Sequence, residues 1–287
     1  GETFGKFINS DIRSQSISPL LNNVDCIFHL AAISALPVCQ SNPGEAISIN
    51  VGGTANILEL ARQAGVRRFV FASTSAIYEN NTNFPCKEDD PVAPSLINSM
   101  SKLNGEALCK SFGDLYGMEI AITRYYNVYG PNQDIKRKSP PFVGYVIREL
   151  LAGRSPLLHS NGKQKRDYVY IDDVNQLNIL CMNHPKAVGE IFNVASGQAY
   201  SVNQVYKIIA SLLNSPVQPT FRESTLFWDK YTTLFKGKFP LDGERISKEV
   251  DKFTLGSTLK TKSLLGWMTN VTIEKGLANT IESANRA

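Results

Sequence analysis

Val24-Asp25-Cys26-Ile27-Phe28-His29-Leu30-Ala31-Ala32 is a short apolar run without polar alternation. That is the pattern of a strand covered on both faces, as in a parallel sheet. From Pro43 to Ala64 the spacing becomes helical, with Ile47, Val51, Ile57, Leu58 and Ala61 recurring on one side until Gly65 stops it. Arg67 to Thr74 (RRFVFAST) predicts a second strand, about Ser99 to Tyr116 a second helix ended by Gly117, and Glu119 to Tyr125 (EIAITRY) a third strand. Strand and helix in alternation predict an α/β fold, a doubly wound parallel sheet.

Past Gly130 the rhythm changes. Pro131 to Pro141 is polar and proline-rich, a predicted loop. Helices are predicted at about Phe142–Ala152, Ile171–Asn183 and Val202–Leu213, with strands near Leu157 and Tyr168 and at Glu190–Val194. Ser215 to Phe253 shows little periodicity and reads as irregular, and Lys260–Leu265 and Val271–Ser283 read as closing helices. Residues 1–130 are therefore expected to form the sheet domain. Residues 131–287 are expected to form mainly a second, smaller domain, with 170–195 returning to the sheet.

With 287 residues and 43% hydrophobic content, the chain can bury a full core. A net charge of +4 without any block of like charges does not point to nucleic acid. Cys26, Cys39, Cys86, Cys109 and Cys181 are an odd, scattered set, which argues for reduced thiols and a cytoplasmic protein. No apolar run reaches the roughly 18 residues of a membrane span. Gly1-Glu2-Thr3-Phe4 is not a signal peptide, and the missing initial Met suggests a fragment. The three histidines lack metal-ligand spacing, so no metal is expected, and His29 inside its apolar strand reads as structural. Asp172-Asp173 reads as the cap of the helix beginning near Val174.

The strand ends carry the specific signals, since ligands of doubly wound sheets sit beyond the carboxyl ends of the strands. In order along the chain come His29-Leu30-Ala31-Ala32, Asn50-Val51-Gly52-Gly53-Thr54, Ala72-Ser73-Thr74-Ser75-Ala76-Ile77-Tyr78, Ser101-Lys102, Arg124 to Pro131 (RYYNVYGP) and Arg166 to Val174 (RDYVYIDDV). Leu264-Leu265-Gly266-Trp267 follows near the end. In order and spacing this series resembles the extended short-chain dehydrogenase family, the NAD-dependent epimerases and dehydratases of nucleotide sugars. The resemblance spans almost the whole chain.

The resemblance implies a Rossmann-like domain that binds NAD and a smaller domain that binds the nucleotide sugar. It places Asp11 and Ile12, after a polar-flanked strand at Phe7–Asp11, at the adenine. Leu30, Ala31 and Ala32 would line the dinucleotide, with Asn50, Ala72 and Ser73 in the cofactor site. Thr74 would meet the sugar hydroxyl under attack, because a hydroxyl both donates and accepts. Lys102 would hold the nicotinamide ribose and lower the pKa of a neighbouring phenol. Tyr125 and Val128 would flank the nicotinamide. Asn127 and Arg166 would grip the diphosphate, a task suited to the guanidinium fork. Phe142, Val143, Leu157 and His159 would border the base. Structural alternatives stand beside these roles: a helix cap for Asn50, a strand terminus for Thr74, a solvated helical Lys102, and core packing for the last four. The resemblance also implies a homodimer through the two long helices.

Two departures stand out. No Gly-x-x-Gly-x-x-Gly turn occurs, although that turn holds the pyrophosphate in the family; a truncated chain is the expected reason. The family's catalytic Tyr-x-x-x-Lys becomes Asn98-Ser99-Met100-Ser101-Lys102. An amide cannot ionise to the base that a lysine-assisted tyrosine becomes. Dehydratases of the family follow the Thr with Asp-Glu, whereas Ser75-Ala76 stands here. The expected activity is therefore 4-epimerisation of a UDP-sugar through a keto-sugar. The alternatives are a pseudoenzyme that binds a nucleotide sugar or a partner without turnover, and a dehydratase or keto-sugar reductase.

Overall fold

In a computed structural model, which describes residues 5–137 and 139–286, the apolar runs become strands of one parallel sheet. Gly1–Phe4, the start read as no signal peptide, lie outside the described residues. The sheet contains β1 (Cys26–His29), β2 (Arg68–Thr74), β3 (Glu119–Tyr125) and, later in the chain, Glu190–Val194. The order is β1, β2, β3 and then 190–194, all parallel, with Phe28 opposite Val70 and Phe71 opposite Ile122. The fold is α/β and Rossmann-like.

Between β1 and β2 the predicted single helix is broken. α1 (Leu36–Ser41) and α2 (Pro43–Ile47) lead into a π-helical turn at Ser48–Gly53, and only then comes α3 (Thr54–Ala64). The π turn holds Asn50, and such turns gather at functional positions. Gly53 sits in it for a steric reason: a Cβ there would lie 2.4 Å from the side chain of Ile12. α4 (Ile97–Tyr116) follows β2 and lies on the same face as α3, around Phe69, Phe71, Leu58, Ile120 and Cys109. Gly105 lets α4 descend onto β2, since a Cβ there would lie 2.4 Å from the Phe71 ring.

The second half supplies β4 (Asn127–Tyr129), α5 (Phe142–Leu151), β5 (Leu157–His159), β6 (Lys165–Tyr170) and α6 (Ile171–Asn183). Then follow β7 (Glu190–Val194), the fourth strand of the sheet, β8 (Ala199–Ser201), α7 (Val202–Leu212) and β9 (Thr220–Arg222). α8 (Gly243–Asp251), α9 (Leu259–Leu265) and α10 (Ile273–Asn285) close the chain. α6 covers the other face of the sheet, where Leu177 and Cys181 meet Val70, Phe192 and Trp267. α5, α7 and α10 build a separate core around Ile147, Ile209 and Leu277.

Three expectations are corrected. Phe7–Asp11 is not a strand, and Phe7 is 91% exposed. No described strand lies beyond β1 for it to pair with, and an unpaired strand cannot satisfy its backbone. Ser215–Phe253 is not irregular throughout: Asp242 caps Glu244 N at 3.0 Å and starts α8, which buries Ile246 and Val250 one turn apart. Asp173 does not cap its own helix. Its buried carboxylate accepts the backbone N–H groups of Asn270 (2.9 Å) and Val271 (3.3 Å), because α6 opens from Tyr170 with both acids already inside its first turn.

Candidate active site

The carboxyl ends of β1, β2 and β3 and the inner face of α4 form the site. β1 stops at His29 while β2 runs on to Thr74, so Ala72 has no partner on that side. The Lys102 ammonium fills the gap, donating to Ala72 O at 2.6 Å and lying 5.0 Å above the Phe71 ring. Lys102 is buried, and burial lowers its pKa to about 8 against the attraction of Cys109, Cys39 and Glu106. Two residues further along β2, Thr74 stands half-buried at the strand end, its hydroxyl accepting from Ala76 N at 3.2 Å.

Below them is a buried polar network that the sequence reading did not single out. Glu106, one turn beyond Lys102 on α4, accepts from Ser73 Oγ and pairs with Arg124 at 2.8 Å. Arg124 also donates to Tyr78 Oη at 2.6 Å, and Tyr78 donates to Asn193 Oδ1 at 3.0 Å. The i, i+4 spacing of Lys102 and Glu106 was the available signal.

Asn98 is buried one turn before Lys102. Its Nδ2 donates to Ile33 O at 3.1 Å, which that carbonyl also accepts from Asn50 Nδ2 (3.0 Å) and Cys39 Sγ (3.2 Å). Asn50 Oδ1 in turn accepts from Ile33 N at 2.8 Å, and its Nδ2 reaches Ser101 Oγ at 2.9 Å. Asn50 therefore binds the loop after β1 rather than capping a helix. Among the described residues, Tyr78, Tyr126 and His29 do not supply a ready base. Burial raises the phenols of Tyr78 and Tyr126 far above their ordinary range. His29 is buried against Thr54 Oγ1 at 2.9 Å, and burial lowers it to about 4.

The other site residues lie as follows. Leu30 and Ala31 are exposed and Ala32 half-buried in the loop that Ile33 anchors. Ala72 and Ser73 are buried in β2, and Val128 is half-buried in β4. Tyr125 Oη donates to Asn178 at 2.8 Å, and Asn127, exposed, donates to Asp167 O at 2.8 Å. Asp11 binds Arg13 at 2.6 Å, which holds its carboxyl down at about 2. Ile12 packs with the α3 cluster. Val143 is in the second core and Phe142 packs against it. Leu157 and His159 lie on β5, where His159 accepts from Arg222 Nε at 2.8 Å and is pushed down to about 4 by burial and that charge. Arg166 donates to Glu249 O (3.0 Å), Val250 O (2.7 Å) and Lys252 O, so its fork fills the C-terminus of α8.

The sequence profile of the NAD dependent epimerase/dehydratase family matches residues 2–195, covering every strand of the sheet. The chain belongs to this family. It is 31% identical over 279 residues to a putative UDP-glucose 4-epimerase of Methanocaldococcus jannaschii, covering 96% of this chain and 83% of that protein. It is also 31% identical to a UDP-N-acetyl-alpha-D-glucosaminuronate decarboxylase of Bacillus cytotoxicus, covering 95% of this chain and 80% of that one. Among solved structures, the UDP-glucose 4-epimerase of Thermotoga maritima, crystallised with UDP-glucose, superposes with a TM-score of 0.84. That alignment has 28% identity and covers 96% of this chain and 83% of the other. Relatives thus share one fold and UDP-sugar names while differing in reaction.

The family is NAD-dependent, and the residues present fit one end of that cofactor. A buried cation at Lys102, small Ala31 and Ala32 in an accessible loop, and the strand end at Thr74 suit the nicotinamide ribose. The glycine-rich pyrophosphate turn does not occur in this sequence.

Proposed function

We propose that the chain carries a UDP-sugar site of the 4-epimerase type across the ends of β2 and β3. The observation that carries this reading is Lys102 buried against Ala72 O, two residues from the half-buried Thr74 at the end of β2. Bound NAD supplies the acceptance of a hydride from a sugar carbon and its return. Thr74 holds the sugar hydroxyl, and Lys102 orients the ribose and keeps positive charge under it. Asn127 reaches the diphosphate from the β3–β4 turn. Arg166 turns to the diphosphate only by releasing the last carbonyls of α8. Phe142, Val143, Leu157 and His159 border the base. Ser75-Ala76 after Thr74 offers no carboxyl group for eliminating water, which favours epimerisation over dehydration. A homodimer through α3 and α4 belongs to the same reading.

A second reading, binding without turnover, is favoured by Asn98, whose amide is committed to Ile33 O and cannot ionise. Calorimetric titration with UDP-glucose and UDP-galactose, followed by assay for their interconversion in the presence of NAD, separates the two. The expected outcome is micromolar binding and turnover reduced by about 10² to 10⁴ relative to a phenol-bearing site, with Lys102→Met abolishing turnover. Binding without interconversion selects the second reading. Failure to bind any UDP-sugar sinks both.

A further inference from the structure

The Ile33 peptide is gripped on both sides. Its N–H goes to Asn50 Oδ1, and its carbonyl takes three donors from three different segments: the π turn, α1 and α4. An ordinary carbonyl has two lone pairs, so a threefold acceptor is unusually well held. Leu30, Ala31 and Ala32, immediately before it, have only the Leu30 N–H bonded, to Phe28 O at 3.2 Å, among the backbone turn bonds of the described residues. The loop is thus fixed at one point, and among the described residues Asn98 alone hydrogen-bonds that point directly from the helix carrying Lys102.

We propose that Asn98 is a positioning residue, a latch that sets the Leu30–Ile33 loop at a fixed height over α4 so that its backbone is preorganised for a dinucleotide. The inference rests on the proposed cofactor site. A side chain at position 98 that donates to Ile33 O orders the loop before ligand arrives, and less ordering entropy remains to be lost on binding. The residue that has lost the family's proton-transfer group has gained a holding function at the same helix position. The latch requires a donor of this length: Asp is isosteric but presents only acceptors to the carbonyl when ionised.

Amide hydrogen exchange on the ligand-free protein tests the latch, with NAD titration as the second arm. In Asn98→Ala the Ile33 amide and its loop neighbours exchange about tenfold faster, while amides of β2 such as Val70 keep their protection. The NAD Kd rises by a similar factor in Asn98→Ala, and by more in Asn98→Asp. Unchanged Ile33 exchange in both variants overturns the latch. So does faster exchange spread evenly over loop and sheet, which is general destabilisation. If the unmutated protein binds no NAD, the cofactor reading of the site fails, and the exchange pattern alone decides whether Asn98 holds the loop.

Discussion

The lysine that closes the end of β2 is charged at neutral pH at some cost. Burial has moved its pKa from 10.5 to about 8, so its charge is lost within reach of ordinary buffers. The sign follows directly. Below about pH 8 the ammonium attracts an electron-rich or anionic ligand, and above it the neutral amine does not. Affinity for UDP-sugar and NAD is therefore expected to fall as pH rises from about 7 to 9, and Lys102→Met, uncharged throughout, should bind weakly with a flat profile. An unmutated protein whose affinity holds level to pH 9.5 would place the titration elsewhere. The same depressed pKa means that the unfolded chain binds more protons between about 8 and 10.5, so this residue's burial penalty eases as pH rises through that window. At this scale the positions of the named residues can be compared with the reading of the sequence. Thr74 and Lys102 were named by the family resemblance, and the fold brings both to the carboxyl end of β2. The threefold bond at Ile33 was not legible, because a carbonyl leaves no mark in the residue code. Asn98 was readable as a loss but not as a donor with a partner 65 positions away.

Among the elements, α4 governs the site, because Asn98, Lys102 and Glu106 lie on one stripe of it. Its height over the sheet depends on Gly105 pressed to Phe71. Gly105→Ala sets two effects against each other. Helix propensity favours Ala by about 1 kcal/mol, and overpacking a filled core costs about 1–3 kcal/mol. A Cβ at 2.4 Å from a fully buried ring makes the second term win. We expect a net loss of up to about 2 kcal/mol by urea denaturation, largely recovered when Phe71→Leu is added. A single variant as stable as the parent would mean that α4 shifts freely. Element types were readable where burial was one-sided and long, as in α4 and α6. They failed at Phe7–Asp11, which was read as a strand from the resemblance, while no neighbouring strand among the described residues completes the ladder. They failed again at α8, whose two buried apolar residues, Ile246 and Val250, gave too short a stripe against a polar background.

For the molecule as a whole, the sheet ends at β1 with an unpaired edge among the described residues. Phe28 is 37% exposed and Leu30 56% exposed along it. An apolar open edge is a template for another strand. Concentration-dependent association is expected by light scattering, and Phe28→Lys, which places charge on the edge, should slow it at least severalfold without lowering the unfolding midpoint by more than a few degrees. Association that is indifferent to that change would have to arise from another surface. No helix among the described residues is long and apolar enough to cross a membrane.

The carboxylate of Asp173 receives Asn270 and Val271, and Trp267 Nε1 donates to the Asp173 carbonyl at 3.0 Å. This closure spans 97 residues of chain. Assembly of the molecule therefore has a built-in order. The loop it closes is about twice as long as those closed by the β1–β2 and β2–β3 pairings, which adds only about 0.6 kcal/mol of closure entropy, so the order is that of synthesis. A ribosome must deliver Asn270 before α6 has its final partner, so the start of that helix stays uncovered in the nascent chain until Asn270 and Val271 have emerged.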